Sequence, residues 1–360
     1  MSLTFNITDE FRVNAGLRYT EVEKSIVRNS QLGTTSSIDD INVDSFVDIY
    51  PLPVQTGIAA GIGAGAFYDL TFDRSDNDWT PSIGVEYDLA EDIMVYASYS
   101  DGFKAGGFDM SASAFDDLNM NLLPDSPAEL ENFTFDPETV DAFEAGVKAK
   151  WLDGRLTTNL NVFRSTYSNL QQSTLLADGV SFRVQNAGKS RSEGVEFDFN
   201  WIASSNVMIG GNLSYLDSKF IEYVGATPTA QQVFLGLTSQ DLSGSDRPFS
   251  PEFSGNIFAD IRMPLANEYV LSFQPNLFFT SSYFIQADLD PGSKVDSFAK
   301  IDLRVALSPA DERWEVAIVG KNLTNKDTPF YLNDNPTSTG SRLVMFDRPR
   351  TVALQGRFNF

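Results

Sequence analysis

Residues 81–100 read Pro81-Ser82-Ile83-Gly84-Val85-Glu86-Tyr87-Asp88-Leu89-Ala90-Glu91-Asp92-Ile93-Met94-Val95-Tyr96-Ala97-Ser98-Tyr99-Ser100. Ile83, Val85, Tyr87 and Leu89 alternate with Ser82, Gly84, Glu86 and Asp88, and beyond Glu91-Asp92 the alternation resumes as Ile93, Val95, Ala97 and Tyr99. Alternation with a period of two puts the two sets on opposite faces of a strand, so the stretch predicts a hairpin with one apolar and one polar face.

The same grammar recurs in both directions. Leu3 to Ile7 and Val13 to Tyr19 flank Thr8-Asp9-Glu10. Phe143 to Ala149 and Leu156 to Val162 flank Leu152-Asp153-Gly154-Arg155, where Asp-Gly is a strong turn signal. Val195 to Trp201 and Val207 to Tyr215 flank Ser204-Ser205-Asn206. Three further units are Phe253 to Arg262 with Tyr269 to Thr280, Phe298 to Leu307 with Trp314 to Leu323, and a last strand from Pro349 to Phe360. The reading gives about thirteen strands of roughly 9 to 14 residues, long enough for tilted strands to cross a bilayer. Soluble sandwiches and propellers also alternate, but their strands typically run about five or six residues.

The connections alternate as well. The turns just named are tiny, whereas 21–78, 107–136, 171–189, 221–248, 285–296 and 324–348 are long and rich in Asp, Asn, Ser, Thr and Gly. Short turns on one rim and long loops on the other predict an all-β, antiparallel, up-and-down transmembrane barrel, with its long loops on the extracellular side of a Gram-negative outer membrane.

Composition narrows the chemistry. A net charge of −23 over 360 residues excludes a nucleic-acid surface, which needs clustered Lys and Arg. The chain has no Cys and no His, which removes disulfides, thiolate zinc sites, thiol nucleophiles and a histidine general base. No paired-carboxylate constellation stands out, so no enzyme and no cofactor is expected. The longest apolar stretch, Gly57 to Phe67, is too short and too rich in glycine for a spanning helix. The first residues already alternate, so any signal peptide is expected upstream.

Several segments resemble the β-barrel of TonB-dependent outer-membrane receptors. They are Trp79 to Tyr87, Val95 to Phe108 with its Phe103-Lys104-Ala105-Gly106-Gly107 core, Pro137-Glu138-Thr139-Val140 leading to Glu144-Ala145-Gly146-Val147-Lys148, Asn186-Ala187-Gly188 with Glu193-Gly194-Val195-Glu196, Gly320-Lys321-Asn322-Leu323-Thr324-Asn325-Lys326, and Arg348-Pro349-Arg350-Thr351. By themselves most of these are strand patterns and turns; the glycines after Phe103 read as a bend where a strand leaves the barrel. The resemblance implies a 22-stranded barrel, of which this chain would be the C-terminal portion over residues 1–360, with the plug domain and about nine strands upstream. Parity agrees: an odd up-and-down run leaves its first and last strands parallel, and open edges in lipid leave backbone groups unsatisfied.

The resemblance further implies active uptake of a scarce nutrient, most often a ferric siderophore, with TonB acting on the plug, membrane lipid around the wall, and delivery by the barrel assembly machinery. The terminal aromatics Phe358 and Phe360 resemble the assembly signal, or simply end a strand in its aromatic girdle. Candidate ligand contacts, placed on loops, are Asp73, Asp76, Asp78, Trp79, Phe108, Asp109, Phe115, Asp116 and Asp117. The plainer reading of each, and the favoured one, is a solvated acidic loop. Such loops could hold Ca²⁺, although no EF-hand spacing is present. The alternatives are a passive porin-like channel and a receptor for carbohydrate or vitamin B12-type ligands.

Overall fold

The computed structural model describes residues 2–29, 69–109, 134–175, 182–335 and 341–359. Thirteen strands form one antiparallel sheet in which each strand pairs with its predecessor in the chain. Labels run along the chain, and the wall strands are β1 (Ser2–Asn6), β2 (Phe11–Asn29), β3 (Asp69–Ala90), β4 (Ile93–Lys104), β7 (Glu138–Trp151), β8 (Leu156–Leu175), β9 (Phe182–Ser204), β10 (Val207–Glu222), β13 (Phe253–Pro264), β14 (Tyr269–Thr280), β17 (Phe298–Pro309), β18 (Trp314–Lys321) and β21 (Thr351–Phe358). The remaining strands make two-stranded ribbons inside the long connections: β5 (Gly107–Phe108) with β6 (Thr134–Phe135), β11 (Val224–Ala226) with β12 (Gln240–Asp241), β15 (Tyr283–Phe284) with β16 (Lys294–Val295), and β19 (Pro329–Asp334) with β20 (Arg342–Phe346). A five-residue helix, α1 (Ala230–Phe234), follows β11.

The expected meander and its alternating connections are present. The position of the loops differs from expectation, because strands β2, β3, β8 and β9 run for 19, 22, 20 and 23 residues. β2 and β3 stay in register from Phe11↔Tyr87 out to Asn29↔Asp69, so both ends of the stretch 21–78, residues 21–29 and 69–78, are paired strand. Likewise β8 and β9 remain paired out to Leu175↔Phe182, which takes most of 171–189 out of the loop. A crossing needs only about 9–11 residues. Beyond the bilayer both faces meet water, so apolar alternation ends while backbone pairing continues.

One face of the sheet is built for lipid. Ile83, Leu89, Val162, Ile318 and Leu354 are all exposed, and each lies on the apolar side of its strand. Aromatic pairs bound this band: Tyr19–Trp79 (4.9 Å), Tyr99–Phe143 (4.8 Å) and Tyr215–Phe253 (5.1 Å) toward the long connections, and Phe11–Tyr87 (6.4 Å) and Tyr269–Trp314 (6.0 Å) toward the short turns. Eight residues separate Trp79 from Tyr87, which at ~3.3 Å each and ~40° tilt gives a band about 20 Å tall, near that of outer-membrane barrels.

The opposite face carries hydrogen-bonded polar side chains. Arg12 donates to Glu86 at 3.0 Å and to Asp88 at 2.7 Å, Asn14 donates to Glu86 at 3.0 Å, and Asn159 donates to Asp198 at 2.7 Å. The Tyr96 hydroxyl donates to Glu144, and Arg304 pairs with Glu315. Here the glycines of two family-like segments find their reason. Gly146 lies opposite Tyr96 and Gly194 opposite Phe163, and each ring covers the bare backbone of its partner.

Among the described residues, β1 and β21 each have one neighbour in the sheet, and all eight residues of β21 are exposed. Phe358 is on this last strand, on its apolar side; Phe360 lies outside the described residues.

Candidate functional site

At the end of the wall bearing the long connections, the segment following β4 is pinned. The Lys24 ammonium donates to the Gly106 carbonyl, and Gln171 donates to the Ala105 carbonyl at 3.0 Å. A Cβ on Gly106 would sit 2.4 Å from the Phe135 carbonyl oxygen and 2.5 Å from the Arg74 guanidinium. Close approach of two segments, not bending, therefore requires this glycine. Arg74 is held by Asp76 (2.8 Å) and Asp136 (3.3 Å), which ties the β2–β3 hairpin to β6. Gly106→Val is expected to release this strut, seen as faster proteolysis of the 105–137 connection with the wall strands still protected.

The sequence-derived candidates separate into three groups. Asp73, Asp76, Asp78 and Trp79 lie on strand β3, not on a loop as expected, because the β2–β3 ladder extends past the bilayer band. Asp76 and Asp78 point to the polar side; Asp73 and Trp79 point outward, with Trp79 in the aromatic girdle against Tyr19. Phe108 packs edge-on against Phe72 at 5.7 Å, and buried Asp109 accepts a bond from the Val184 amide at 2.8 Å, so this end of the connection is built into the scaffold. Phe115, Asp116 and Asp117 lie outside the described residues.

A second constellation went unread in the sequence. On β14, β17, β18 and β21, the inward positions at the long-connection end converge with the β15–β16 and β19–β20 ribbons around a cavity of about 500 Å³. Phe278, Tyr283, Phe298 and Phe330 supply its aromatic surface, and Lys300, Lys321 and Arg348 its positive charge. The Phe278 and Phe298 rings are 5.9 Å apart, and the Lys300 ammonium lies 5.3 Å above Phe298. Lys300 also pairs with Asp347 at 2.6 Å, and Lys321 with Asp302 at 2.9 Å. A usable signal existed: Phe278 and Phe298 are aromatics on the polar side of their strands, where the alternation otherwise puts Asn, Lys and Asp.

Asn322 closes the base of this cavity. It is buried with a φ of 48°, and its side-chain amide donates to the carbonyls of Lys326 (3.0 Å) and Arg348 (3.1 Å) while accepting from the Lys326 amide (3.0 Å). The start and end of the connection 322–350 are joined through one side chain.

The ribbons are held together by a charged contact. Arg342 on β20 pairs with Asp290 at 2.6 Å and with Asp334 at 3.2 Å, and Gln286 donates to Asp334 at 3.1 Å. Nearby Asp288 is buried, and burial pushes its carboxyl up to about 6, reinforced by the charges of Asp334 and Asp290. A carboxyl raised in the folded state is neutral there at pH 5 and must ionise as pH passes 6, so the contact weakens on going from acid to neutral. This rise corresponds to about 3 kcal/mol. Hydrogen exchange of residues 283–295 is expected to be slower at pH 5 than at pH 8 after correction for intrinsic rates, and Asp288→Asn should remove the difference.

Residues 2–323 match the family described as TonB dependent receptor-like, beta-barrel. The metal-pseudopaline receptor CntO of Pseudomonas aeruginosa (strain UCBPP-PA14) is 29% identical over 162 residues, 45% of this chain and 20% of that protein. The ferric-pyoverdine M114 receptor PbuA of Pseudomonas sp. (strain M114) is 26% identical over 148 residues, 41% of this chain and 16% of its own length. The structure of the ferric yersiniabactin uptake receptor FyuA from Yersinia pestis matches all of this chain with a TM-score of 0.69 at 17% identity, and the match covers 44% of FyuA. The siderophore receptor PiuA from Acinetobacter baumannii gives 0.64 at 17% identity over 99% of this chain and 42% of PiuA. The chain thus spans less than half the length of these relatives. With a lipid-facing band, an inward polar face and a family match over most of its length, the chain belongs to the β-barrel of the TonB-dependent receptors of the Gram-negative outer membrane.

Proposed function

We propose that this chain forms the wall and ligand-capturing rim of a receptor that imports a metal–siderophore complex, energised by TonB, and performs no covalent chemistry. The observation that carries the reading is the inward cavity at the long-connection end of a barrel of this family. Its relatives include receptors for ferric yersiniabactin, ferric pyoverdine and metal-pseudopaline. In this reading the plug and the remaining strands come from sequence outside residues 1–360 and close the lipid-exposed edges at β1 and β21, since an open edge in hydrocarbon costs several kcal/mol per unsatisfied group. Barrel assembly machinery recognises the C-terminal aromatics Phe358 and Phe360. Asp76, Asp78, Phe108 and Asp109 shape the inner rim on the β3 side, and Phe115, Asp116 and Asp117 are candidate ligand contacts. Asp73 and Trp79 take the outward positions among lipid headgroups.

The test is uptake of radioiron-loaded chelates by cells with and without the receptor, each with and without TonB. Receptor-dependent, TonB-dependent accumulation is expected. Uptake that needs the receptor but not TonB would identify a passive channel, and no receptor-dependent uptake of any metal chelate would reject the reading.

A further inference from the structure

We propose that the cavity on the β14–β17–β18–β21 wall selects anionic metal chelates whose donor oxygens sit in adjacent pairs on aromatic rings, the catecholates, over aliphatic hydroxamates. The inference rests on the receptor reading above and adds the chemical class of its ligand.

Three features support it. First, the surface offered is aromatic: Phe278 and Phe298 lie 5.9 Å apart with their planes tilted by 50°, and Tyr283 and Phe330 come from the two ribbons to complete the lining. Tilted ring pairs leave edges and faces open to a third ring, and an aliphatic chelate gains only contact area from the same surface. Second, the local charge is opposite to that of the protein. Asp347 neutralises Lys300 and Asp302 neutralises Lys321, whereas Arg348 makes no ion pair among the described residues, leaving the lining with one uncompensated cation. The chain carries −23 overall, so the sign of charge on this lining is opposite to that of the chain. A ferric ion held by three catecholates bears three negative charges, while the ferric tris-hydroxamate is neutral, so this cation distinguishes the two classes. Third, the planar guanidinium of Arg348 can donate in parallel to two adjacent ring oxygens, which a lysine cannot do. Its backbone is fixed for that role, because the Arg348 carbonyl accepts from Asn322 at 3.1 Å.

The experiment is equilibrium binding to the intact receptor in detergent, read by tryptophan fluorescence quenching, with two probes carrying the same metal: the ferric complex of trimeric dihydroxybenzoylserine and ferric N-acetyl-desferrioxamine B, which is neutral. The aryl chelate is expected to bind at least tenfold tighter. Phe298→Leu and Arg348→Gln should each weaken it about tenfold or more, and raised salt should weaken it in the wild type but little in Arg348→Gln. Arg348→Gln, an exposed change, keeps the test valid if Phe298→Leu fails to fold. Tighter binding of the hydroxamate, or aryl binding that neither variant alters, would overturn the inference while leaving the receptor reading standing. If neither probe binds and no chelate is taken up by cells, both fail together.

Discussion

Gly194→Val is expected to abolish barrel formation, with the receptor absent from the outer membrane and no heat-modifiable species in detergent. A Cβ at residue 194 would lie 2.2 Å from the Tyr215 carbonyl oxygen and 3.1 Å from the Phe163 ring. The first contact is with backbone in a ladder paired continuously from Val195↔Tyr215 to Ser190↔Phe220, so neither strand can give way locally. Overpacking in a yielding core costs about 1–3 kcal/mol, and a clash with fixed backbone in a closed ladder exceeds that. Gly356→Val supplies the contrast: among the described residues nothing lies within 4 Å of its added Cβ, and it lies on the lipid-facing side of its strand, so assembly should suffer much less than in Gly194→Val. Equal loss in both variants would show that valine interferes generally with strand glycines and that the Phe163 contact is irrelevant.

Asn322→Ala is expected to destabilise the rim by about 4 kcal/mol or more. Two carbonyls and one amide lose their partner, each costing about 1–3 kcal/mol where burial keeps water away, and alanine is strained by a further ~1–2 kcal/mol at a φ of 48°. Asn322→Gly keeps the hydrogen-bond loss and removes the strain, so it should recover about 1 kcal/mol. The measurement is limited proteolysis of the connection 322–350, scored against the intact wall. Cleavage should rise sharply in the alanine variant and less in the glycine one. Wild-type cleavage in Asn322→Ala would mean that the Lys326 and Arg348 carbonyls find other donors.

In the sequence, Gly-Lys-Asn-Leu-Thr-Asn looks like a strand ending in a turn, and Phe103 to Gly107 like a bend. Both are contacts between distant parts of the chain: Asn322 reaches Arg348, and Gly106 meets Phe135, Lys24 and Arg74. Local chemistry gave the turn and the glycine, but not the partner. The candidate acids show the opposite error. Asp73, Asp76 and Asp78 read as loop because their surroundings are polar, yet they are strand, since pairing in a projecting hairpin depends on backbone hydrogen bonds and needs no apolar face.

By itself the sequence determined the thirteen-strand meander, the lipid-facing side of each strand and the alternation of short and long connections. Each of these follows from a period of two and from turn chemistry, which act between near neighbours in the chain. Only the tertiary structure decided how far the hairpins project and where the binding surface gathers. Phe278, Phe298, Lys321, Phe330 and Arg348 are spread over 71 positions of sequence and meet because strand pairing and two loop ribbons bring their inward faces to one end of the wall. No local pattern encodes that meeting; it arises from closing the hydrogen-bond ladder across strands.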